Sequence, residues 1–435
     1  MFDNTMRRVG VAGADDGQWP LADGSVVDRG DDTGNGRLVV WKFGGTSVAD
    51  PGRLRAVAER MVAAHRSGHR VVAVLSAMGS STDRLYELAR GVSPSPRLRE
   101  LDALLSVGEC VSCALAAMAV HELGERAVSL TGPQSGVITD DSHGRARLRE
   151  IRPHRITAAL DDGAIVLVTG YQGLSPAGDV TTLGRGGSDA SAVAMTAALG
   201  LHECEIFTDV AGVYTADPRV VPDARLLHTL GRQEMLQLAT AGAGVLRTRA
   251  VELAMAHDVD IHVRSSFTAD SGTWILKEKA MLESTDITGV AHQQRDTLYT
   301  IRDMSPVMIS AVLAQRGAAF GAIVRQSGAV GFTVPGVDEA EVAAAFATAG
   351  ARVAVQRALG TVSVVSTAID RRPEVTARAL RALADIGIEP ELVTSTPSRV
   401  SFHIPAANVE DAVRLLHQVF DLHARRAPVP VRAVS

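Results

Sequence analysis

The chain has 435 residues, too many for one ordinary core, so two to three domains are expected. Hydrophobic residues at 46% and charged residues at 21% are the balance of a folded globular protein, not a disordered one. A net charge of −5 supplies no basic field, which argues against nucleic-acid and membrane-surface partners, and no segment is expected to span a bilayer.

Residues 1–36 are rich in Gly and Asp with no apolar period, and read as a disordered extension. Arg7 and Arg8 precede no apolar stretch, so no secretory signal is expected. Order begins with RLVVWKFGG, a short apolar strand that ends in glycines. From there to residue 292 the rhythm alternates. VVAVLSAM (71–78), AIVLVTGYQG (164–173) and ECEIFTDVAGVY (203–214) are continuous apolar runs, as in strands buried on both faces of a parallel sheet. RLRAVAERMVAAH (53–65) and SDASAVAMTAALGL (188–201) read as helices between them. The fold class is therefore α/β: an αβα sandwich with a mainly parallel central sheet. Ligands in such folds bind at the carboxyl ends of the strands, where the glycine-rich motifs fall.

Beyond residue 292 the rhythm becomes β-α-β-β-α-β, twice. TLYTIRD to DEAEVAAAFATAG fills a first unit over 293–358, and TVSVVST to NVEDAVRLLHQVF a second over 359–425. Two ferredoxin-like α+β regulatory domains are expected, with a frayed tail at 426–435. Cys110 and Cys113 form a C-x-x-C inside the apolar helical stretch CVSCALAAMAV, with Cys204 the third cysteine. Buried small hydrophobes fit better than a redox or metal site, and no disulfide framework is available, as in a reducing cytoplasm.

Three segments carry chemistry. In Lys42-Phe43-Gly44-Gly45, glycines after a strand let backbone amides close on a phosphate and Lys42 adds a point charge. The lysine is informative because Lys42, Lys277 and Lys279 are the only three in a chain that otherwise uses arginine. In Gly184-Arg185-Gly186-Gly187-Ser188-Asp189, Ser188 or Asp189 would cap the following helix, but capping does not explain an arginine enclosed by glycines. Such an arginine suits bidentate clamping of a carboxylate. Thr208-Asp209 through Tyr214 to Asp217-Pro218-Arg219 taken alone is a strand-end loop.

Together, KFGGTSV, VLSAMG with the following TD, SVGE, TTLGRGGSD and TDVAGVYTADPR occur in the order and spacing of the aspartokinases, within the wider amino acid kinase family. The chain resembles them over residues 37–435, more loosely beyond 290. That resemblance implies ATP with Mg2+ as phosphoryl donor, L-aspartate as acceptor and 4-phospho-L-aspartate as product. The product would be the first step toward lysine, threonine and methionine, or a specialised aspartate derivative. It implies Lys42 and Asp189 as the catalytic pair and Ser76, Thr82, Glu109, Arg185, Gly186, Gly187 and Ser188 around the amino acid. Glu109 would meet the α-ammonium and Arg185 the α-carboxylate. Lys42, Phe43, Gly44, Gly45, Thr208, Asp209, Tyr214, Arg219, Gly244 and Val245 fall to the nucleotide. The C-terminal units become ACT-type domains, a homodimer through them is expected, and the setting is cytoplasmic. A β-carboxylate, with a pKa of about 3.9, needs no general base at neutral pH, which agrees with a site built from cations and amides.

Departures from the family pattern are specific. Gly242-Ala243-Gly244-Val245-Leu246-Arg247-Thr248-Arg249 stands where GAKVLHPR is usual, so Gly244 replaces a lysine that touches ATP. The two regulatory turns, at Ser305-Pro306-Val307 and Pro373-Glu374-Val375, lack the usual glycine. These changes keep two alternatives open: a catalytically weak regulatory subunit, or a kinase for an aspartate analogue.

Overall fold

The computed structural model describes residues 36–277 and 287–424, apart from 316–317, 319–320, 327, 335–336 and 338. The extension expected over 1–36, save Gly36, and the tail expected over 426–435 lie outside the described residues.

The N-terminal half is built on an eight-stranded sheet. From edge to edge its strands are Thr229–Gly231, Thr273–Leu276, Asp260–Ser265, Glu203–Thr208, Leu38–Phe43, Arg70–Leu75, Ile165–Thr169 and Ala127–Leu130. Every neighbouring pair is parallel except Asp260–Ser265 with Thr273–Leu276. The inner strands are buried on both faces, so Val71 to Leu75 and Ile165 to Val168 are fully enclosed. Helices Pro51–Arg66 and Val107–Glu122 cover one face, where Met61, Ala116 and Val120 meet Phe43 and Phe207. Helices Gly187–Ala198 and Thr248–Ala256 cover the other, with Val193, Ala250 and Ala254 against Ile206 and Val263. Cys113 and Cys204 are buried among these side chains, and burial pushes both thiols up.

Strand Leu38–Phe43 has Arg70–Leu75 on one side and Glu203–Thr208, met much later in the chain, on the other. The connectivity reverses direction here, and the carboxyl ends of these strands diverge into a crevice. Apolar runs ended where the backbone had to turn. AIVLVTGYQG splits into Ile165–Thr169 and Gln172–Leu174, with Tyr171 at φ 71° between them.

One helical stretch, Leu98–Glu122, spans 25 residues and is long and apolar enough to cross a membrane, contrary to expectation. Half of its most apolar 18 residues are buried inside the protein. Ser106 divides it into two helices, and buried Asp102 and Glu109 project from them.

The C-terminal half forms one six-stranded sheet in the order Ile323–Gln326, Ala329–Thr333, Ile287–Arg302, Val353–Ser366, Arg399–Pro405, Leu392–Thr396. It is antiparallel throughout. Strand Ile287–Arg302 runs unbroken across residues 292 and 293, where the linear reading ended one domain and began the next. Its first half pairs from Ile287↔Ser366 to Gln293↔Thr361, and its second from Leu298↔Gln356 to Ile301↔Val353, with bulges around Asp296 between them. The first regulatory unit is thus inserted after the opening strand of the second, and two long strands join both. Residues 287–293 gave no separate strand signal because the polar run HQQRD follows without a turn.

Candidate active site

Lys42 ends strand Leu38–Phe43, and its Nζ lies 2.5 Å from Oδ1 of Asp189, both side chains about 10% exposed. Asp189 sits in the first turn of helix Gly187–Ala198. Neither Ser188 nor Asp189 caps that helix. Gly186 does, at φ 75°, without a side-chain cap; Gly187 N is taken by Gly184 O at 2.9 Å, and the amides of Ser188 and Asp189 stay available. A Cβ on Gly44 would lie 3.5 Å from the Lys42 ammonium, so the side chain folds back over the glycine loop. The loop is tied to its neighbours by Gly44 N donating to Phe207 O (3.1 Å) and Ser76 N to Phe43 O (3.1 Å).

The second wall comes from helix Val107–Glu122. Glu109 is 3% exposed, and its Oε1 accepts from Ala77 N at 3.2 Å. Its Oε2 is buried without a partner, and burial raises the carboxyl to about 7. Such a group waits for a donor, and a ligand ammonium is the natural one. Gly108 lets this helix approach: a Cβ there would stand 2.8 Å from Ala77 Cβ and 4.0 Å from Thr82 Oγ1. Ser76 is fixed alongside through Ser112 Oγ, which donates to Ser76 O at 2.8 Å.

Arg185 is exposed between Gly184 (φ 77°) and Gly186 (φ 75°), and no hydrogen bond or ion pair engages it among the described residues. Left-handed backbone on both sides of one residue is cheap only for glycine. Sequence reading missed Tyr171, whose φ of 71° is a strained value for an aromatic residue. A Cβ on Gly187 would meet its ring at 2.9 Å, and Tyr171 N donates to Ser191 Oγ at 3.2 Å. Burial raises its phenol, the Thr182 hydrogen bond lowers it, and Glu109, Asp102 and Arg185 all act on it electrostatically. Tyr171 therefore stands between the glutamate and the arginine. Its one sequence signal was an aromatic flanked by glycine at a strand end.

On the third side, Thr208 ends strand Glu203–Thr208 and donates to Asp209 Oδ1 at 3.1 Å. Tyr214 is half-buried and bridges to Leu226. Three residues expected at the nucleotide have side chains engaged within the protein. The Phe43 ring is fully buried and stacks on Phe207 at 4.9 Å, so only its backbone faces the crevice. Val245 packs against the core of the central sheet. Arg219 is engaged by Asp217 at 2.7 and 3.0 Å with its guanidinium otherwise in solvent. At Gly244 a Cβ would meet nothing within 4 Å. Arg247 turns back on the glycine loop, where a Cβ on Gly186 would collide with its Cβ and Cγ at 2.5 and 2.3 Å.

The crevice thus joins a buried ammonium–carboxylate pair, glycine-loop amides, a free guanidinium and a carboxylate lacking a donor. That set can align two anions and grip the two charged ends of an amino acid.

The amino acid kinase family model matches residues 37–265 and an ACT domain model matches residues 362–420. Aspartokinase of Geobacillus stearothermophilus is 42% identical over 403 residues, 90% of this chain and 99% of that one. Aspartokinase of Mycolicibacterium smegmatis is 43% identical over 406 residues, covering 88% and 96%. Among solved structures, E. coli aspartokinase III in complex with aspartate and ADP superposes with a TM-score of 0.75 at 23% identity, covering 88% of this chain and 99% of that one.

Proposed function

The chain belongs to the amino acid kinase family as an aspartokinase, and from that premise we propose that it transfers the γ-phosphoryl group of MgATP to the β-carboxylate of L-aspartate, giving 4-phospho-L-aspartate. The observation that carries this reading is the opposition of two unsatisfied charges across the crevice. Glu109 Oε2 is buried without a donor, and Arg185 is a cation without an acceptor. An α-amino acid supplies the missing partner to each.

Arg185 holds the α-carboxylate bidentately and Glu109 the α-ammonium, with Ser76, Thr82, Gly186, Gly187 and Ser188 around the acceptor. The side-chain carboxylate is then left facing Lys42. It attacks the γ-phosphorus as the bond to the β,γ-bridging oxygen breaks, and no proton has to leave the acceptor. Lys42 offsets charge on the transferring phosphoryl oxygens, and Asp189 fixes the ammonium by their 2.5 Å contact. Gly45 N and the amides of Ser188 and Asp189 at the start of helix Gly187–Ala198 receive phosphate oxygens, while Gly44, its amide bonded to Phe207 O, leaves room for their approach. Thr208, Asp209 and Tyr214 line the nucleotide side, and magnesium arrives with ATP as part of the substrate. E. coli aspartokinase III was crystallised with aspartate and ADP, which supports the same pairing of substrates here.

The same reading includes a homodimer joined through the C-terminal sheet, a cytoplasmic setting, and a product feeding aspartate-derived amino acids. The test is an ATP and aspartate assay that traps the acyl phosphate with hydroxylamine. Aspartate-dependent hydroxamate is the expected result, and its absence with intact, nucleotide-binding protein overturns the reading.

A further inference from the structure

The two groups assigned to the ends of the acceptor come from separate parts of the chain. Glu109 rides on the helix after Ser106, and Arg185 on the turn after strand Val180–Thr182. Their separation must match one amino acid, so something has to hold these elements at a fixed distance.

Asp102 lies on helix Leu98–Leu105, seven residues before Glu109, and is 1% exposed. Its carboxylate meets three donors and no other charge. His143 Nδ1 donates to Oδ2 at 2.8 Å, which fixes the tautomer, and Gly144 N is 3.0 Å from both oxygens. The Thr182 hydroxyl donates to Oδ1. Thr182 is three residues before Arg185 and fully buried, and its carbonyl accepts from Ala146 N at 2.9 Å. Arg249 closes the same frame from outside, donating to Leu183 O (2.7 Å) and Ala146 O (2.8 Å). A second tie runs parallel, with Gln172 Nε2 donating to Ser106 O at 2.8 Å.

We propose that Asp102 is a positioning residue for the acceptor: its carboxylate joins helix Leu98–Leu105, which leads through Ser106 into the helix carrying Glu109, to the strand end that leads into the Arg185 turn, and so sets the distance between the two groups that hold aspartate. This rests on the assignment of Glu109 and Arg185 to the acceptor. A buried carboxylate that only stabilised the fold would serve as well between any two elements. This one bonds Thr182, three residues before Arg185, and the 143–144 loop that meets the arginine turn, since a Cβ on Gly184 would stand 3.1 Å from Gly144 O. Loss of the tie leaves phosphate contacts at Lys42 and the glycine loop in place, because no hydrogen bond connects them to Asp102 among the described residues.

The experiment is steady-state kinetics and thermal melting of the full chain carrying Asp102→Asn, Thr182→Val, Thr182→Ser or Arg185→Lys. Asp102→Asn should raise the aspartate KM about tenfold or more while the ATP KM stays near wild type, the scale of a misplaced binding group. Thr182→Val, which removes one of three donors, should shift the aspartate KM in the same direction by less, and Thr182→Ser, which restores the hydroxyl, should return it. Should Asp102→Asn not fold, the Thr182 pair decides. A loss shared equally by both substrates and tracking the fall in Tm, or Thr182→Val and Thr182→Ser that behave alike, overturns the proposal while Arg185→Lys still raises the aspartate KM. If Arg185→Lys leaves that KM unchanged, the acceptor assignment itself fails and the positioning role goes with it.

Discussion

Lys42 Nζ and Asp189 Oδ1 are 2.5 Å apart in a crevice that leaves each side chain about 10% exposed. A buried pair of this kind is poor value for stability, because desolvation offsets most of the Coulombic gain. Its merit is geometric, since Asp189 keeps a flexible four-carbon side chain over the glycine loop. Lys42→Ala should therefore lower kcat at least about a hundredfold with ATP still bound, the scale of one preorganised charge at the transition state. Asp189→Asn should give a smaller loss in kcat with little change in either KM. Near-wild-type turnover of Lys42→Ala would remove the lysine from the phosphoryl path.

Glu109 makes the site sensitive to pH. Burial raises it from 4.5 to about 7, so in the empty enzyme it gains its charge only near neutrality. The ammonium of aspartate needs the charged form, so kcat/KM for aspartate should fall as pH drops below about 7, with no matching limb in the ATP KM. The stability effect has the opposite sense. The folded protein binds the proton more tightly than the unfolded chain, so stability from this group is present below 4.5 and lost as pH rises toward 7. That loss is on the order of 3 kcal/mol. Glu109→Gln should abolish the acidic limb and, at pH 8, raise the Tm of the empty enzyme. A mutant that keeps the limb would assign it to another group.

Much of this site was legible because its chemistry shows in local pattern. Glycines shortly after Lys42 and on either side of Arg185 mark backbone stripped of side chains, and Gly184 and Gly186 do take a positive φ. Glu109 was readable only by resemblance, since a glutamate in a first helical turn is ordinary. Tyr171 showed only as an aromatic beside a glycine at a strand end, and Asp102 was not readable at all. Strain at one depends on a turn that an apolar run conceals, and the role of the other lies in contacts 40 and 80 residues away. The inserted first regulatory unit was hidden for a similar reason, because strand pairing between 287–293 and 361–366 leaves no mark in a linear rhythm.

Gly244 offers a direct test of the nucleotide side. Open space around its would-be Cβ means a lysine can enter without displacing anything. Gly244→Lys should lower the ATP KM by about 1–2 kcal/mol, one charge-assisted hydrogen bond. Arg247, whose stem is seated on Gly186 at the start of helix Gly187–Ala198, is the alternative source of charge, and if it serves the phosphate the added lysine changes little while Arg247→Ala raises the ATP KM. An ATP KM unchanged by either substitution would place the segment away from the nucleotide.

End-product inhibition should be weak. Ser305 uses its hydroxyl to take Met308 N at 3.3 Å, and Pro306 has no amide to offer, so the first turn of helix Pro306–Ala314 has few donors for an effector carboxylate. Val307 projects over it, 78% exposed. At the second turn the Glu374 carboxylate is engaged by Arg372 at 3.0 Å, which leaves the bulk of its side chain as the obstacle there. Titration of lysine, threonine and methionine, singly and in pairs, at sub-saturating aspartate checks this. Strong inhibition by any of them would show that these turns accept a ligand despite their side chains.

A buried side-chain hydrogen bond ties the nucleotide loop to the regulatory half, Thr215 Oγ1 with His417 Nε2 at 3.0 Å. Thr215 Oγ1 already accepts from Arg225 N at 2.9 Å, so its hydrogen points to His417, which must be neutral at Nε2 to receive it. Burial lowers the imidazole, helped by His423 and Arg225 and opposed by Asp223, so the neutral form is favoured. Around this bond the loop is embedded in the second unit, with Ala216, Val220 and Val221 in one cluster with Phe402, Leu416 and Phe420. Val290 N binds Thr215 O at 2.8 Å, and Arg414 Nε binds Val220 O at 3.0 Å. Tyr214 and Arg219, proposed for ATP, flank these anchors in sequence, so their placement depends on the regulatory unit. Thr215→Val strands the buried His417 nitrogen and the Arg225 amide, at a cost of about 1–3 kcal/mol. It should lower the Tm and raise the ATP KM several-fold while leaving the aspartate KM alone. Because His417 titrates lower in the folded state, its share of stability is present above about 6.5 and lost as pH falls, so the mutant's deficit should shrink in acid. A Thr215→Val protein with a lowered Tm and unchanged ATP KM would show that the contact holds the two halves together without reaching the nucleotide.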